Sequence, residues 1–352
     1  MKKILTHIFI DGLNGMAIGL FSTLIIGTIL QQFGIFIPGE AGTYIYTLGK
    51  LAASLTGAGI GCSMAVKFSC SPLVILSSGI AGMVGAFAEI ILSGSILTSD
   101  SIVLSDSGDP LGAYLASLIA IEIGCLVSEK TQIDIIITPI VSIGSGSCIG
   151  LFAGPWISSV MNKLGTAIQW GTEQQPFFMG VIVAVLMGMF LTLPISSAAI
   201  AIILNLHGLP AGAATVGCCA NMIGFAIAGF KENGISGLLA QGLGTSMLQM
   251  PNILKHPLIW IPSILTSAIL GPVAACLVKL TNNAAGSGMG TAGLVGPLMA
   301  YNSMLKHNSP LKSSIIVLFM CFILPGILTF AISQAMRKLD FIKDGDMKLE
   351  HV

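Results

Sequence analysis

The sequence predicts an all-α integral membrane protein of about ten transmembrane helices, some of them broken or re-entrant. Three observations carry that prediction. Of 352 residues, 54% are hydrophobic and only 9% are charged, against about 25% charged in an ordinary soluble domain. The mean hydropathy of +0.93 leaves too little polar material to cover a soluble surface. Apolar runs of roughly 20 residues, the length that crosses a hydrocarbon core, recur along the whole chain.

The formal net charge is zero, and no basic run exceeds two residues before the C-terminal tail. Nucleic acid and anionic membrane surfaces are therefore poor partners. Arg337 is the sole arginine, so an anionic solute would be held by lysine, backbone amides or helix N-termini rather than by a bidentate clamp. The eight cysteines follow no zinc or redox spacing and read as small buried hydrophobes. No metal or cofactor is expected.

The first span is Leu13 to Phe36, opened by Asp11-Gly12-Leu13-Asn14-Gly15. Met1-Lys2-Lys3 ahead of it resembles the start of a signal peptide. Asp11 and Asn14 interrupt the apolar run, however, and no small-residue cleavage site closes it, so a retained helix with a cytoplasmic N-terminus is expected. The second span, Leu48 to Phe68, is rich in small residues around Gly57 to Gly61. The third, Leu73 to Leu97, encloses Glu89. Ser99 to Pro110 holds three aspartates and no lysine, as an external loop does.

The fourth span, Leu111 to Val127, contains Glu122, and the fifth runs from Asp134 through Pro139 to Pro155-Trp156. Lys163 to Gln175 is polar and mildly amphipathic, with Trp156 and Trp170 as interfacial anchors. It is expected to connect two membrane halves, residues 1–165 and 176–340, ahead of a charged, solvated cytoplasmic tail at 341–352. The sixth span, Phe177 to Leu204, should break at Pro194, where a backbone donor is missing. Pro210 to Gly229 follows as the seventh.

Ile235 to Met250 is too short and glycine-rich for an easy crossing and reads as a broken span or re-entrant hairpin. Leu258 to Lys279 and Ser313 to Met336 are apolar again, separated by the glycine-dense segment Asn282 to Gly293. Lys67, Lys130 and the tail after Arg337 point inside by the positive-inside rule, while Lys306, His307 and Lys312 pull the other way.

Short echoes suggest an internal repeat. Gly19-Leu20-Phe21-Ser22-Thr23-Leu24 resembles Gly188-Met189-Phe190-Leu191-Thr192-Leu193, and Ala58 to Cys62 resembles Ala214 to Cys218. Duplication and coincidence among small residues both account for them. Duplication with an odd number of spans per half would make the repeat inverted and bring broken helices to a midplane site.

Asn205 through Phe225 mixes a histidine and two asparagines with repeated small residues, which a helix merely crossing lipid does not need. The substrate-binding candidates are Asn205, His207, Asn221, Gln241, Thr245, Asn282, Asn283 and Thr291. Their amides, imidazole and hydroxyls can donate and accept, as recognition of a polyol requires. Glu89, Glu122 and Asp134 are coupling candidates, because an ionisable group inside lipid needs a compensating role.

Plainer readings stand beside these. The glutamates could be protonated bonds between helices, His207 a helix end, Asp134 a helix start, and the glycines a packing surface. No nucleophile–base pair stands out, and Gly286 to Gly290 lacks the Gly-Lys-Ser/Thr of a phosphate loop, so no catalytic residue is named.

Asp11-Gly12-Leu13-Asn14-Gly15-Met16-Ala17, Asp134 to Pro139, Asn205 to Gly224, Gln241 to Ser246 and Gly286 to Gly296 together resemble one family. It is the IIC-like membrane component related to phosphotransferase-system sugar permeases, which includes perfringolysin O regulator-type proteins of Gram-positive bacteria. The resemblance covers nearly the whole chain. It implies a homodimeric, multi-pass permease of the bacterial cytoplasmic membrane, working with separate IIB and IIA-type proteins and not itself an enzyme. The chain departs from the glucose-type permeases in lacking their Gly-Ile-Thr-Glu signature, and it has no length for a IIB or IIA domain. Facilitated or ion-coupled uptake therefore stays open beside phosphorylation-coupled uptake.

The function expected is transport of a small polar solute, a sugar or related hydroxylated compound, by alternating access around a central site. The alternative is a membrane sensor that binds a ligand and controls gene expression through a partner protein.

Overall fold

A computed structural model of the chain describes residues 7–95, 97–98, 101–102, 104, 108–306 and 308–349. Met1-Lys2-Lys3, much of the expected external loop and His307 lie outside the described residues. Among those described, regular structure is helical apart from a two-stranded hairpin pairing Leu97–Thr98 with Ser101–Ile102.

Among the described residues, six helices are long and apolar enough to cross a membrane: Leu13–Phe36, Pro110–Val127, Asp134–Ile157, Gly208–Ala228, Pro257–Val278 and Pro310–Lys338. Pro72–Ala86 and Pro176–Thr192 are shorter apolar helices. This is fewer full-length spans than the sequence suggests, and three expected spans are divided, including Phe177 to Leu204. Leu48 to Phe68 falls into Glu40–Ser54 and Thr56–Lys67, separated at Leu55. Leu73 to Leu97 becomes Pro72–Ala86 and the short Ala88–Leu92, with Phe87 between them in non-helical geometry. Both breaks lie beside runs of glycine, whose low helix propensity lets tertiary packing choose the boundary.

Most of Lys163 to Gln175 is helical, continuing a helix that runs from Asp134 through Pro139 and Pro155 to Thr172. The break at Pro194 stands, with the preceding helix ending at Thr192, Leu193 extended, and a new helix at Ser197–Ile203.

The chain packs as two compact units, Met1–Val160 and Met161–Val352. In the first, Thr56–Lys67 packs on both Leu13–Phe36 and Pro72–Ala86, and Pro72–Ala86 packs in turn on Pro110–Val127. Small residues let these backbones touch. A Cβ on Gly61 would lie 2.2 Å from the Ser78 carbonyl oxygen, and Ser78 Oγ donates to the Gly61 carbonyl at 3.0 Å. The glycines from Gly79 to Gly85 serve the same close packing.

In the second unit, Gly208–Ala228 is buried along most of its length, from Ala211 to Phe225. Pro176–Thr192, Ile261–Pro272 and Leu324–Lys338 pack around it. Gly217 is needed there, since its Cβ would sit 1.9 Å from the Ala184 carbonyl oxygen.

The C-terminal tail is not the wholly solvated segment its charges suggest. Ile342, Met347 and Leu349 are buried. Of the charges between them, Asp344 is paired with Arg337 Nη1 at 3.0 Å and Lys231 Nζ at 2.7 Å, while Lys343, Asp344 and Lys348 stay exposed; Arg337 Nη1 also reaches Glu232 at 3.0 Å. The tail is thus docked by its apolar residues while most of its charges remain in contact with solvent. Elsewhere the outer surface carries large apolar groups such as Leu76, Phe152, Trp156 and Leu311, the kind of surface a bilayer covers.

Candidate functional site

Two irregular segments pack against the buried helix Gly208–Ala228. In the first, Ala240–Gly244 is a wide π-turn, Thr245 is extended, and Ser246–Gln249 is a tight 3-10 turn. Thr245 Oγ1 caps that turn by accepting the Met247 N–H at 3.1 Å. The second segment, at residues 284–294, bends through left-handed geometry at Gly290 and Leu294. Glycine fits position 290 for two reasons: its φ is +53°, and a Cβ there would lie 2.9 Å from that of Cys218. Thr291 joins the two segments, its hydroxyl donating to the Gly242 carbonyl at 2.5 Å beside the Met222 sulfur. Irregular backbone of this kind is tolerated in a membrane protein only where protein or a water-filled path satisfies it.

Two polar centres lie on this helix. The first surrounds Asn282, which is buried. Its Nδ2 donates to Thr215 Oγ1 at 2.7 Å and to the Gly296 carbonyl at 3.1 Å. The backbones of Gly208 and Asn282 exchange hydrogen bonds as an antiparallel bridge. His207 and Asn283 each adjoin one side of that bridge in sequence. Both are exposed, as is Asn205. His207 Nδ1 lies 2.7 Å from the Asn205 carbonyl oxygen, and Asn283 Oδ1 accepts the Gly286 N–H at 2.9 Å.

The second centre surrounds Asn221, six positions beyond Thr215 and hence about 9 Å further along the helix axis. Asn221 is wholly buried. Its Oδ1 accepts from Trp260 Nε1 at 3.0 Å and Thr192 Oγ1 at 3.2 Å, and its Nδ2 donates to the Gly217 carbonyl at 3.1 Å. Thr192 Oγ1 lies 2.9 Å from Ser246 Oγ, which ties the irregular segment into the same network. Gln241, also buried, donates to the Gly237 carbonyl at 3.1 Å and accepts from Gln249 Nε2 at 2.9 Å.

The eight candidates thus divide by chemistry. Asn205, His207 and Asn283 form an exposed polar rim. Asn221, Gln241, Thr245, Asn282 and Thr291 are buried with protein partners. Sequence reading missed those partners, namely Thr192, Thr215, Ser246, Gln249 and Trp260. Trp260 is one of only three tryptophans, and a buried indole N–H calls for a partner, so it carried the one available signal.

The three coupling candidates lie in the first unit. Glu89 is exposed in the first turn of Ala88–Leu92, not inside a continuous span, and Glu122 is exposed on Pro110–Val127. Asp134 begins its helix and accepts from the Glu129 N–H at 3.0 Å and the Thr138 hydroxyl at 2.6 Å. Asp109, which the sequence did not single out, caps Pro110–Val127 by accepting the Gly112 N–H at 2.9 Å. Burial pushes its carboxyl up to about 6; the N–H groups of Gly112 and Leu111 oppose that rise and the Glu89 charge adds to it. Among the described residues, no cluster of three or more His, Cys, Asp or Glu side chains could hold a metal ion.

Residues 10–349 match the family model described as Phosphotransferase system, EIIC. No curated protein matches the chain.

Proposed function

The chain belongs to the phosphotransferase-system EIIC family, and from that premise we propose that it is a permease for a sugar or a related hydroxylated solute. Membership makes it a multi-pass membrane transporter component rather than a catalyst. The observation that carries the finer reading is the polar rim of His207 and Asn283 set across the Gly208–Asn282 bridge. An exposed imidazole and an exposed carboxamide flanking one bridge suit hydroxyls, each of which donates and accepts.

On this reading His207, Asn283 and Asn205 meet the solute. Asn221, Gln241, Thr245, Asn282 and Thr291 hold the irregular segments that shape its path. The solute moves by alternating access, with Glu89, Glu122 and Asp134 as the groups through which an ion would couple. Separate IIB and IIA-type proteins, a homodimer, the bacterial cytoplasmic membrane, about ten crossings and an inverted repeat of halves 1–165 and 176–340 complete the proposal. The family and the sequence echoes support these features.

The experiment is uptake by the purified protein in liposomes against a panel of sugars and polyols, with and without a proton or sodium gradient. His207→Ala and Glu122→Gln are the comparisons. Saturable uptake weakened by His207→Ala is expected. Absence of binding and uptake for every compound, together with stable capture of a cytoplasmic regulator, would replace transport by sensing.

A further inference from the structure

Cys70 and Cys125 are separated by 55 positions, yet the Cys125 thiol donates to the Cys70 sulfur at 3.0 Å. Cys70 lies in the turn between Thr56–Lys67 and Pro72–Ala86, and Cys125 lies near the end of Pro110–Val127. The same turn and helix end are held together independently. Ser71, the N-cap of Pro72–Ala86, and Ser128, the C-cap of Pro110–Val127, place their hydroxyls 2.7 Å apart. The backbone on the Cys70 side is set by the left-handed Ser69 at φ +57° and by the Cys70 N–H donating to the Ala65 carbonyl at 3.0 Å. A disulfide needs sulfurs about 2.05 Å apart, so the two sulfurs already stand within about 1 Å of bonding distance.

We propose that Cys70 and Cys125 are a redox pair that peroxide-class oxidants convert to a reversible disulfide, joining the turn before Pro72–Ala86 to the end of Pro110–Val127. Cys125 is the more exposed and is where oxidant arrives. Its thiolate attacks a peroxide oxygen, the O–O bond breaks, and the sulfur becomes a sulfenic acid with release of water. The Cys70 sulfur then attacks the sulfenic sulfur, the S–S bond forms, and a second water leaves with the Cys70 proton. The two sulfurs together give up the two electrons that the peroxide accepts. Burial, and after it the neighbouring Cys125 and Glu122, push the Cys70 thiol up to about 12, which suits Cys70 to the second step, as the thiol that resolves rather than the one that reacts first. Lys67 and Lys130 lie within a few positions of the pair in sequence. The cytoplasmic orientation they indicate would keep the pair reduced at rest and oxidised only under stress.

The test uses the full-length protein in lipid nanodiscs treated with hydrogen peroxide, blocked with N-ethylmaleimide and digested without reduction. A peptide pair linked through Cys70 and Cys125 is expected, together with recovery of both free thiols after dithiothreitol. In Cys70→Ser, Cys125 should proceed to sulfinic acid. The wild-type result decides if that variant does not fold. Separate alkylation of Cys70 and Cys125 at peroxide doses that oxidise the exposed Cys276 would overturn the proposal, as would linkage of either to a different cysteine.

Discussion

The indole Nε1 of Trp260 donates to the carboxamide oxygen of Asn221 at 3.0 Å, joining two helices across 39 positions of sequence. Asn221 is wholly buried and Trp260 half-buried, so the amide depends on protein partners. The same oxygen accepts from Thr192, and Asn221 therefore holds three helices in register. A buried amide with every partner in place specifies one packing arrangement, whereas a partly satisfied one costs more than an apolar side chain would.

Replacing Asn221 by Ala should lower stability by about 1–3 kcal/mol, the cost of leaving buried donors unmade. Thermal or denaturant unfolding in detergent measures it. An unchanged midpoint would show that the network does not hold the helices.

His207→Ala should leave the unfolding midpoint within error, because its side chain is exposed, whereas Asn283→Ala also removes the cap on the Gly286 N–H and should cost about 1 kcal/mol. Each should raise KM for solute uptake about ten-fold, the worth of one hydrogen bond to a ligand. A stability loss without a change in KM would move these residues from the rim to the scaffold.

Arg337→Met should destabilise by about 3–5 kcal/mol by leaving the Glu232 carboxylate buried without its partner. The Arg337 and Glu232 side chains are only 11% and 7% exposed. Adding Glu232→Leu to Arg337→Met should recover most of that loss. A double variant as unstable as the sum of its singles would rule out coupling between them.

Asp109 makes a prediction about pH. Its folded value near 6 stands above the unfolded value of about 3.9. Between these values the folded state holds a proton that the unfolded state has lost, so stability falls as pH rises from about 4 to 6 and then levels. The penalty at neutral pH is roughly 3 kcal/mol. Asp109→Asn keeps an acceptor for the Gly112 N–H and removes the charge, so it should stabilise the protein at pH 7–8 and make little difference near pH 4. Parallel stability–pH curves for the two proteins would refute the assignment.

Gly217→Ala should prevent compact folding, since the added methyl meets the Ala184 carbonyl oxygen at 1.9 Å and two helices must separate. Size-exclusion profiles in detergent provide the readout. A monodisperse Gly217→Ala protein would show that the helices can part cheaply.

Much of the architecture was legible in local sequence. The span Leu13–Phe36 was read at both ends, and the break after Thr192 follows from Pro194. The expectation that Ile235 to Met250 is irregular matches the π-turn and 3-10 turn found there. The division of Leu48 to Phe68 at Leu55 was not legible, because glycine-rich stretches leave the boundary to packing. The docking of the tail was not legible for a related reason: Ile342, Met347 and Leu349 are buried, and Leu349 N–H is held by Asn233, which lies 116 positions away.

The sequence by itself determined the membrane class, most of the long spans and the family resemblance. These depend on run length, composition and contiguous motifs, which need no partner to be recognised. Only the tertiary structure decided which polar groups are buried and satisfied, which stay exposed, and which cysteines meet. Asn221 with Trp260, Thr291 with Gly242, and Cys70 with Cys125 are each joined by groups remote in sequence. A hydrogen bond or thiol contact is a relation between two places in space, and local pattern carries no record of the second.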